Sequence, residues 1–316
     1  MLSLPDFKEK QLLFITAQEA TDNIIRFKNE NICLVRDGKI INQLSCHKVF
    51  AVFIIGDCSI TTVLIRNCQR YGVSLFLLKN NLGLYAQVIA TADGNYLLRQ
   101  KQYAITDDLT IAKHIVINKI SNQYKLLSKI DKENNYQREF EQIKNNIQIV
   151  ADNQELLGIE GNLSKKFFSQ YFSEIDWYKR LPQTKVDAVN LLLDLGYTLL
   201  FNFIDALLGL YGFDNYKGFY HKLFFQRKSL VCDIMEPFRC IIDYQILKSY
   251  HLKQIDKKDF RARGGRYELL FDKQQKYLQI FSSAIIERKE QIFNYVRQFY
   301  YCIINDTNNY PIFDFQ

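Results

Sequence analysis

The sequence predicts an α+β fold in which a small N-terminal β domain precedes a larger all-α domain. Three observations predict it. Short β-branched and aromatic runs separated by turn residues fill the chain to about residue 92. From Tyr96 to Ile304 apolar residues recur at helical spacing with few glycines. The change of texture falls at Asp93-Gly94, which places the expected domains at residues 1–92 and 93–316.

The elements follow in order. Asn31 to Arg36, Asp37-Gly38 and Lys39 to Leu44 read as a hairpin, because Asp-Gly fits a two-residue turn with both residues at positive φ. Val49 to Ile55, Val73 to Leu78 and Leu84 to Ala90 read as further strands, the last entered through Asn80-Asn81 and Gly83. Between them Ser59 is expected to cap a short helix that runs to about Arg70 and stops at Gly72. Thr106-Asp107-Asp108 starts a helix whose apolar stripe is Ile111, Ile115, Val116, Ile120, Leu126 and Leu127. Tyr136 to Val150 continues the pattern, and a long helix begins near Thr184. The tail from Asn305 to Gln316 reads as partly disordered.

Composition narrows the class. With 316 residues, 48% of them hydrophobic, the chain has material for a large core. Forty-one basic against 34 acidic residues give a net charge of +7, which modestly favours a polyanionic partner. Seven cysteines without a CxxC pair fit reduced thiols in a cytosol, and no secretion signal opens the chain. Ala188 to Phe213 is apolar enough to suggest a membrane span, but Asp194, Asp205, Asn190 and Asn202 interrupt it. Carboxylates are costly at that depth in lipid, so a buried core helix and no membrane are expected.

Three islands carry acids or imidazole beside glycine or proline: Gly158-Ile159-Glu160-Gly161, Gly218-Phe219-Tyr220-His221 and Asp233-Ile234-Met235-Glu236-Pro237-Phe238-Arg239. A Glu, a His and an Asp/Glu pair form a hard ligand set suited to Mg²⁺ or Mn²⁺. In a basic protein that set points to metal-assisted phosphodiester chemistry. If the first island is helical, Glu160 and Ser164 share a face, and the flanking glycines suggest that something approaches the backbone. Each island also has a plain structural reading: a solvated glutamate, a structural loop histidine, and a capping box of Asp233 with Glu236. Around the islands lie bases able to grip phosphates: Lys165, Lys222, Arg227, Lys228 and Arg239, with Arg261, Arg263 and Arg266 in a loop at Gly264-Gly265.

Taken together, the islands resemble the CRISPR adaptation integrase family, metal-dependent enzymes that insert new spacers into a CRISPR array. Further matches are Gly56-Asp57-Cys58-Ser59-Ile60-Thr61-Thr62 with Gly72-Val73-Ser74-Leu75, Arg99 with Gln102-Tyr103, and Asp187-Ala188-Val189-Asn190-Leu191-Leu192-Leu193 with Gly196-Tyr197. The matches span nearly the whole chain. Cys240 stands where that family often has a proline after the arginine.

The resemblance implies Glu160, His221 and Glu236 as ligands of a divalent metal, with Asp233 as a supporting carboxylate in a catalytic helical domain. It implies direct transesterification, in which the 3′-hydroxyl ends of captured DNA attack the CRISPR repeat, together with endonuclease and disintegrase activity. It also implies dimerisation through the β domains, a heterohexamer with a small adaptation partner protein, and a prokaryotic cytoplasm. Two other readings stay open: a general metal-dependent DNA nuclease, and a non-catalytic nucleic-acid-binding scaffold.

Overall fold

The computed structural model describes residues 3–18, 21–92, 94–175, 177–222 and 224–316. Its first part contains α1 (Leu4–Lys8), β1 (Gln11–Thr16), β2 (Asn23–Lys28), β3 (Asn31–Arg36), β4 (Lys39–Ser45), β5 (Val49–Ile55), β6 (Ser59–Ile60), α2 (Thr62–Arg70), β7 (Ser74–Leu78) and β8 (Leu84–Val88). The run Val49–Ile55 has no polar residue because β5 is covered on both faces. It pairs in parallel with β1 and β7, and β8 closes the four-stranded sheet antiparallel to β7. Ala51, Phe53 and Ile55 enter the core shared with the helices, whereas Val52 and Ile54 enter a second core under the sheet β4-β3-β2-β6. This period of two assigns each face of the strand to a different core. Asp37 and Gly38 both take positive φ between β3 and β4, as the hairpin signal requires.

The start of α2 differs from the expectation that Ser59 caps it. Ser59 lies in β6, paired with β2, and the cap of α2 is Thr61, whose hydroxyl accepts the Leu64 N–H at 3.2 Å.

The helical part comprises α3 (Tyr96–Ala104), α4 (Asp108–Ile130), α5 (Tyr136–Ile149), α6 (Asn153–Tyr171), α7 (Ala188–Tyr211), α8 (Ser229–Met235), α9 (Arg239–His251), a hairpin of β9 (Phe260–Arg263) and β10 (Arg266–Leu269), α10 (Phe271–Glu287) and α11 (Lys289–Ile304). The α+β class with strands first is therefore what the chain adopts. The texture change at Asp93 falls on a residue outside those described. Helix α7 starts later than expected, at the cap Asp187, which accepts the Asn190 N–H at 2.7 Å. It is long and apolar enough to cross a membrane, yet 83% of its most apolar window is buried within the fold. Its two interrupting carboxylates are paired internally, Asp194 with Arg180 at 2.6 Å and Asp205 with Lys228 at 2.6 Å, whereas the Asn202 amide is buried without a hydrogen-bond partner among the described residues.

Phe7 of α1 stacks on Phe293 of α11 at 4.7 Å, and Phe50 of β5 meets Phe203 of α7 at 4.9 Å. Sheet and helices thus share one hydrophobic interior. The segment expected as a loop at Gly264-Gly265 is the turn of the β9–β10 hairpin, both glycines having positive φ. The tail expected to be partly disordered is ordered. Phe313 and Phe315 are buried, and their N–H groups donate to Asn118 Oδ1 at 2.9 Å and Asn122 Oδ1 at 3.0 Å on α4. Two asparagines on a helix replace the missing β partner for that strand of chain.

Candidate active site

Helix α3 fixes the loop that carries His221. Gln102 donates to the carbonyls of Asp214 at 2.9 Å and Lys217 at 2.7 Å and accepts the Asp214 N–H at 3.0 Å. Tyr103 donates to the Asp214 carboxylate at 2.7 Å, and Arg99 donates to the Gly212 carbonyl at 3.0 Å. A loop so tied at its start can hold a functional side chain in place.

Its far end is tied by Asp233. That residue lies within α8, fully buried, so the capping-box alternative fails: its oxygens do not cap the turn that follows. Oδ2 accepts the N–H groups of Phe219 at 2.6 Å and Tyr220 at 3.0 Å. Oδ1 accepts the N–H of His221 at 2.8 Å and its Nδ1–H at 2.7 Å. A carboxylate can only accept, so Nδ1 carries a proton in this bond and Nε2 is the ring nitrogen left for another partner. Gly218 is required here, because a Cβ would sit 2.8 Å from Asp233 Oδ2 and 2.7 Å from the Ser229 backbone.

Glu160 stands in the middle of α6, where Ser164 donates to its Oε1 at 2.7 Å, so the two do share a face. Beyond their own stretch of helix, nothing lies within 4 Å of a Cβ placed at Gly158 or Gly161, which leaves that flank of the helix open. Glu236 begins the 3₁₀ turn Glu236–Phe238 and is buried. Its Oε1 accepts Arg239 Nε at 3.0 Å, and Arg239 lies over the Tyr197 ring at 4.6 Å.

Between the two glutamates lies Lys119 of α4. Its ammonium contacts Glu160 Oε1 and sits 2.6 Å from Glu236 Oε2. Burial would lower the Lys119 pKa, but Glu236 and Glu160 outweigh it and hold the group charged. Burial likewise works against both carboxylates. Lys119 nevertheless draws Glu160 below its ordinary value, and Arg239, Lys119 and His221 hold Glu236 at about 2. Among the described residues no three His, Cys, Asp or Glu side chains converge as a ready metal pocket, and the Lys119 ammonium stands between the two glutamates. The donor set still fits a hard divalent ion, since two carboxylates already meet on one cation and an oriented imidazole stands in the same part of the site. Tyr220 reaches Glu160 Oε2 at 3.4 Å, and burial with Glu160 pushes its phenol well up.

Of the bases expected to grip DNA, Lys165, Lys222, Arg261, Arg263 and Arg266 are exposed. Arg263 and Arg266 face each other directly at the hairpin turn, an arrangement that favours an anionic partner, whereas Arg261 is paired with Glu268 at 2.9 Å. The others are committed within the protein. Lys228 pairs with Asp205, Arg239 with Glu236, and Arg227 donates to the Lys222 carbonyl at 2.5 Å.

Lys119 went unnoticed in the sequence, although its position carried a signal. It falls between Ile115 and Leu126 on the apolar stripe of α4, where a lysine buried among core residues needs an acidic partner. Asp243 is a second buried charge. Burial raises its pKa to about 7, despite the Tyr197 hydroxyl that donates to it and the nearby Arg239. A carboxyl whose folded pKa lies above its ordinary 3.8 stabilises fully below about 4 and loses that contribution as pH rises through about 7. Asp243→Asn should therefore gain stability over wild type as pH rises from 5 to 8, by on the order of 2 kcal/mol, read as diverging melting temperatures.

A strand-built module leading into a helical bundle that gathers two glutamates and a held histidine defines an α+β enzyme class suited to hard-metal phosphodiester chemistry. Comparison with known proteins is specific. The family described as CRISPR associated protein Cas1 matches residues 13–283, and the chain belongs to that family. The CRISPR-associated endonuclease Cas1 1 of Thermodesulfovibrio yellowstonii is 29% identical over 272 residues, covering 77% of this chain and 82% of its own. A CAS1 protein from Thermotoga maritima shares the fold with a TM-score of 0.82 at 18% identity, over 97% of this chain and 99% of the other. A casposase bound to integration product gives 0.80 at 20% identity, over 96% and 94%. A Cas6-RT-Cas1–Cas2 complex gives 0.77 at 22% identity, over 95% of this chain and 36% of the other. The expectation of a CRISPR-associated endonuclease and integrase holds at the level of the family.

Proposed function

We propose that the chain joins captured DNA to a CRISPR repeat by transesterification at a single divalent-metal centre held by Glu160, His221 and Glu236. One observation carries this reading: carboxylates from two separate elements meet on one cation, beside an imidazole whose Nδ1 is already occupied. When bound, Mg²⁺ or Mn²⁺ supplies Lewis-acid stabilisation of charge on the phosphate and eases ionisation of the attacking hydroxyl. Asp233 orients His221 through its ring and its backbone, and Arg239 keeps Glu236 ionised and in place. In the reaction a new O3′–P bond forms, the P–O3′ bond of the target strand breaks, and the proton of the attacking hydroxyl ends on the departing 3′-oxygen. One phosphodiester replaces another, so no nucleoside triphosphate is consumed.

The open flank at Gly158 and Gly161 supports approach of a strand beside Glu160. Exposed Lys165, Lys222, Arg263 and Arg266 are the proposed phosphate contacts. Residues 1–92 are proposed as the dimerising domain and 93–316 as the catalytic one. The Cas1–Cas2 assembly among structures of this fold supports a small partner protein, proposed to complete a heterohexamer in a prokaryotic cytoplasm.

The test is strand transfer. A labelled duplex is offered with supercoiled repeat plasmid, partner protein and Mn²⁺. A covalent plasmid product is expected with free 3′-hydroxyl ends and is expected to vanish with dideoxy ends or with His221→Ala. Metal-dependent nicking that ignores the 3′ end would indicate a plain nuclease instead.

A further inference from the structure

We infer that Lys119 is an internal counter-ion: its ammonium holds the Glu160 and Glu236 carboxylates together before metal arrives, and a divalent cation displaces it. The inference rests on the metal centre proposed above and adds a residue that is not one of its ligands.

The geometry gives the reason. Lys119 is buried on a 23-residue helix, and its ammonium spans Glu160 Oε1 and Glu236 Oε2. Without a cation between them, two carboxylates brought together under low solvent access repel each other. With Lys119 and Arg239 present, the two carboxylates and two cations sum to zero formal charge. A divalent cation seated on the same oxygens would bring that sum to +2 if the ammonium stayed, at a separation where like charges repel strongly. If the ammonium leaves, the carboxylates, Arg239 and the cation sum to +1, which a single phosphodiester charge neutralises. Lysine suits the role because its charge is compact and sits on a flexible four-carbon stem, whereas a planar arginine fork would be harder to withdraw. Helix α4 need not move, since only the stem has to swing. Lys119 is thus a positioning residue for the two carboxylates before metal binds and a competitor of the metal, which sets a ceiling on metal affinity.

The experiment measures Mn²⁺ binding by isothermal titration calorimetry and melting temperature with and without Mn²⁺. It compares full-length wild type, Lys119→Met, Lys119→Arg and Glu236→Gln. Lys119→Met should melt lower than wild type without metal, bind Mn²⁺ about tenfold more tightly, and gain more from saturating Mn²⁺. Lys119→Arg should stay near wild type without metal and bind Mn²⁺ no more tightly. Should Lys119→Met fail to fold, ¹³Cε–¹⁵Nζ spectra of wild type decide. The Lys119 signal, assigned by its loss in Lys119→Arg, should pass from protected to solvent-exchanging on Mg²⁺ titration. Wild-type binding that Glu236→Gln abolishes, with unchanged affinity in Lys119→Met or an unmoved Lys119 signal, overturns the counter-ion role alone. Absence of any Mn²⁺ binding that depends on Glu236 overturns the metal centre and the counter-ion role with it.

Discussion

Asp233→Ala is expected to abolish strand transfer and to lower stability by roughly 3–5 kcal/mol, while His221→Ala abolishes strand transfer with little loss of stability. The asymmetry follows from what each residue touches. His221 is partly exposed, and removing its ring leaves the backbone of the loop tied. Asp233 is fully buried and accepts three backbone N–H groups besides the imidazole. Alanine leaves those donors without a partner, each costing about 1–3 kcal/mol, and releases the loop that Gly218 lets approach so closely. In a chain of 316 residues such a loss lowers the melting temperature by roughly 5–8 °C. Asp233→Asn keeps one accepting oxygen and should fall between, with metal affinity reduced about 10–100-fold because the imidazole is no longer held. Equal melting temperatures for Asp233→Ala and His221→Ala would show that Asp233 does not organise the loop.

Glu236→Gln should have the second large effect, because it removes one negative charge facing two buried cations. Arg239 and Lys119 would then share Glu160 and an Asp243 that is only partly ionised, and breaking such a buried network costs about 3–5 kcal/mol at neutral pH. The pH dependence has a definite sign. Glu236 is held at about 2, below its ordinary 4.5, so its contribution is complete above about 4.5 and is lost as pH falls from there through about 2. Wild type and Glu236→Gln should therefore differ most at neutral pH and converge in acid. Strand transfer by the variant should fall by more than about a hundredfold, since the glutamine carries no charge to a metal. A difference that widens as pH falls would contradict the assignment.

The sequence disclosed the residues that have strong local signatures. The Asp37-Gly38 turn, the unbroken apolar strand Val49–Ile55 and the capped start of α4 at Asp107 are fixed by neighbours within a few residues, and all formed as expected. Glu160, His221, Asp233 and Glu236 were marked by their glycine or proline surroundings. What could not be read was which of them touch. Asp233 fits a helix cap on local spacing, and only the loop folding back at residues 219–221 makes it a cradle. Lys119 is separated from Glu160 by 41 positions, so its ion pair has no local trace beyond a lysine in an apolar stripe. The tail shows the same limit: its polar residues read as disorder, whereas Asn118 and Asn122, nearly two hundred residues away, supply its hydrogen bonds. Arg261, Arg263 and Arg266 were read as a loop because two adjacent glycines do not by themselves distinguish a hairpin turn.

The most direct measurement is anomalous diffraction at the manganese edge from crystals of the protein soaked in Mn²⁺. One peak is expected within about 2.2 Å of Glu160, Glu236 and the Nε2 of His221, with the Lys119 ammonium moved off both carboxylates. It should disappear in His221→Ala crystals soaked at the same limiting concentration. A manganese peak elsewhere in the molecule, or one at the glutamates that His221→Ala leaves unchanged, would contradict a metal centre built from these three residues.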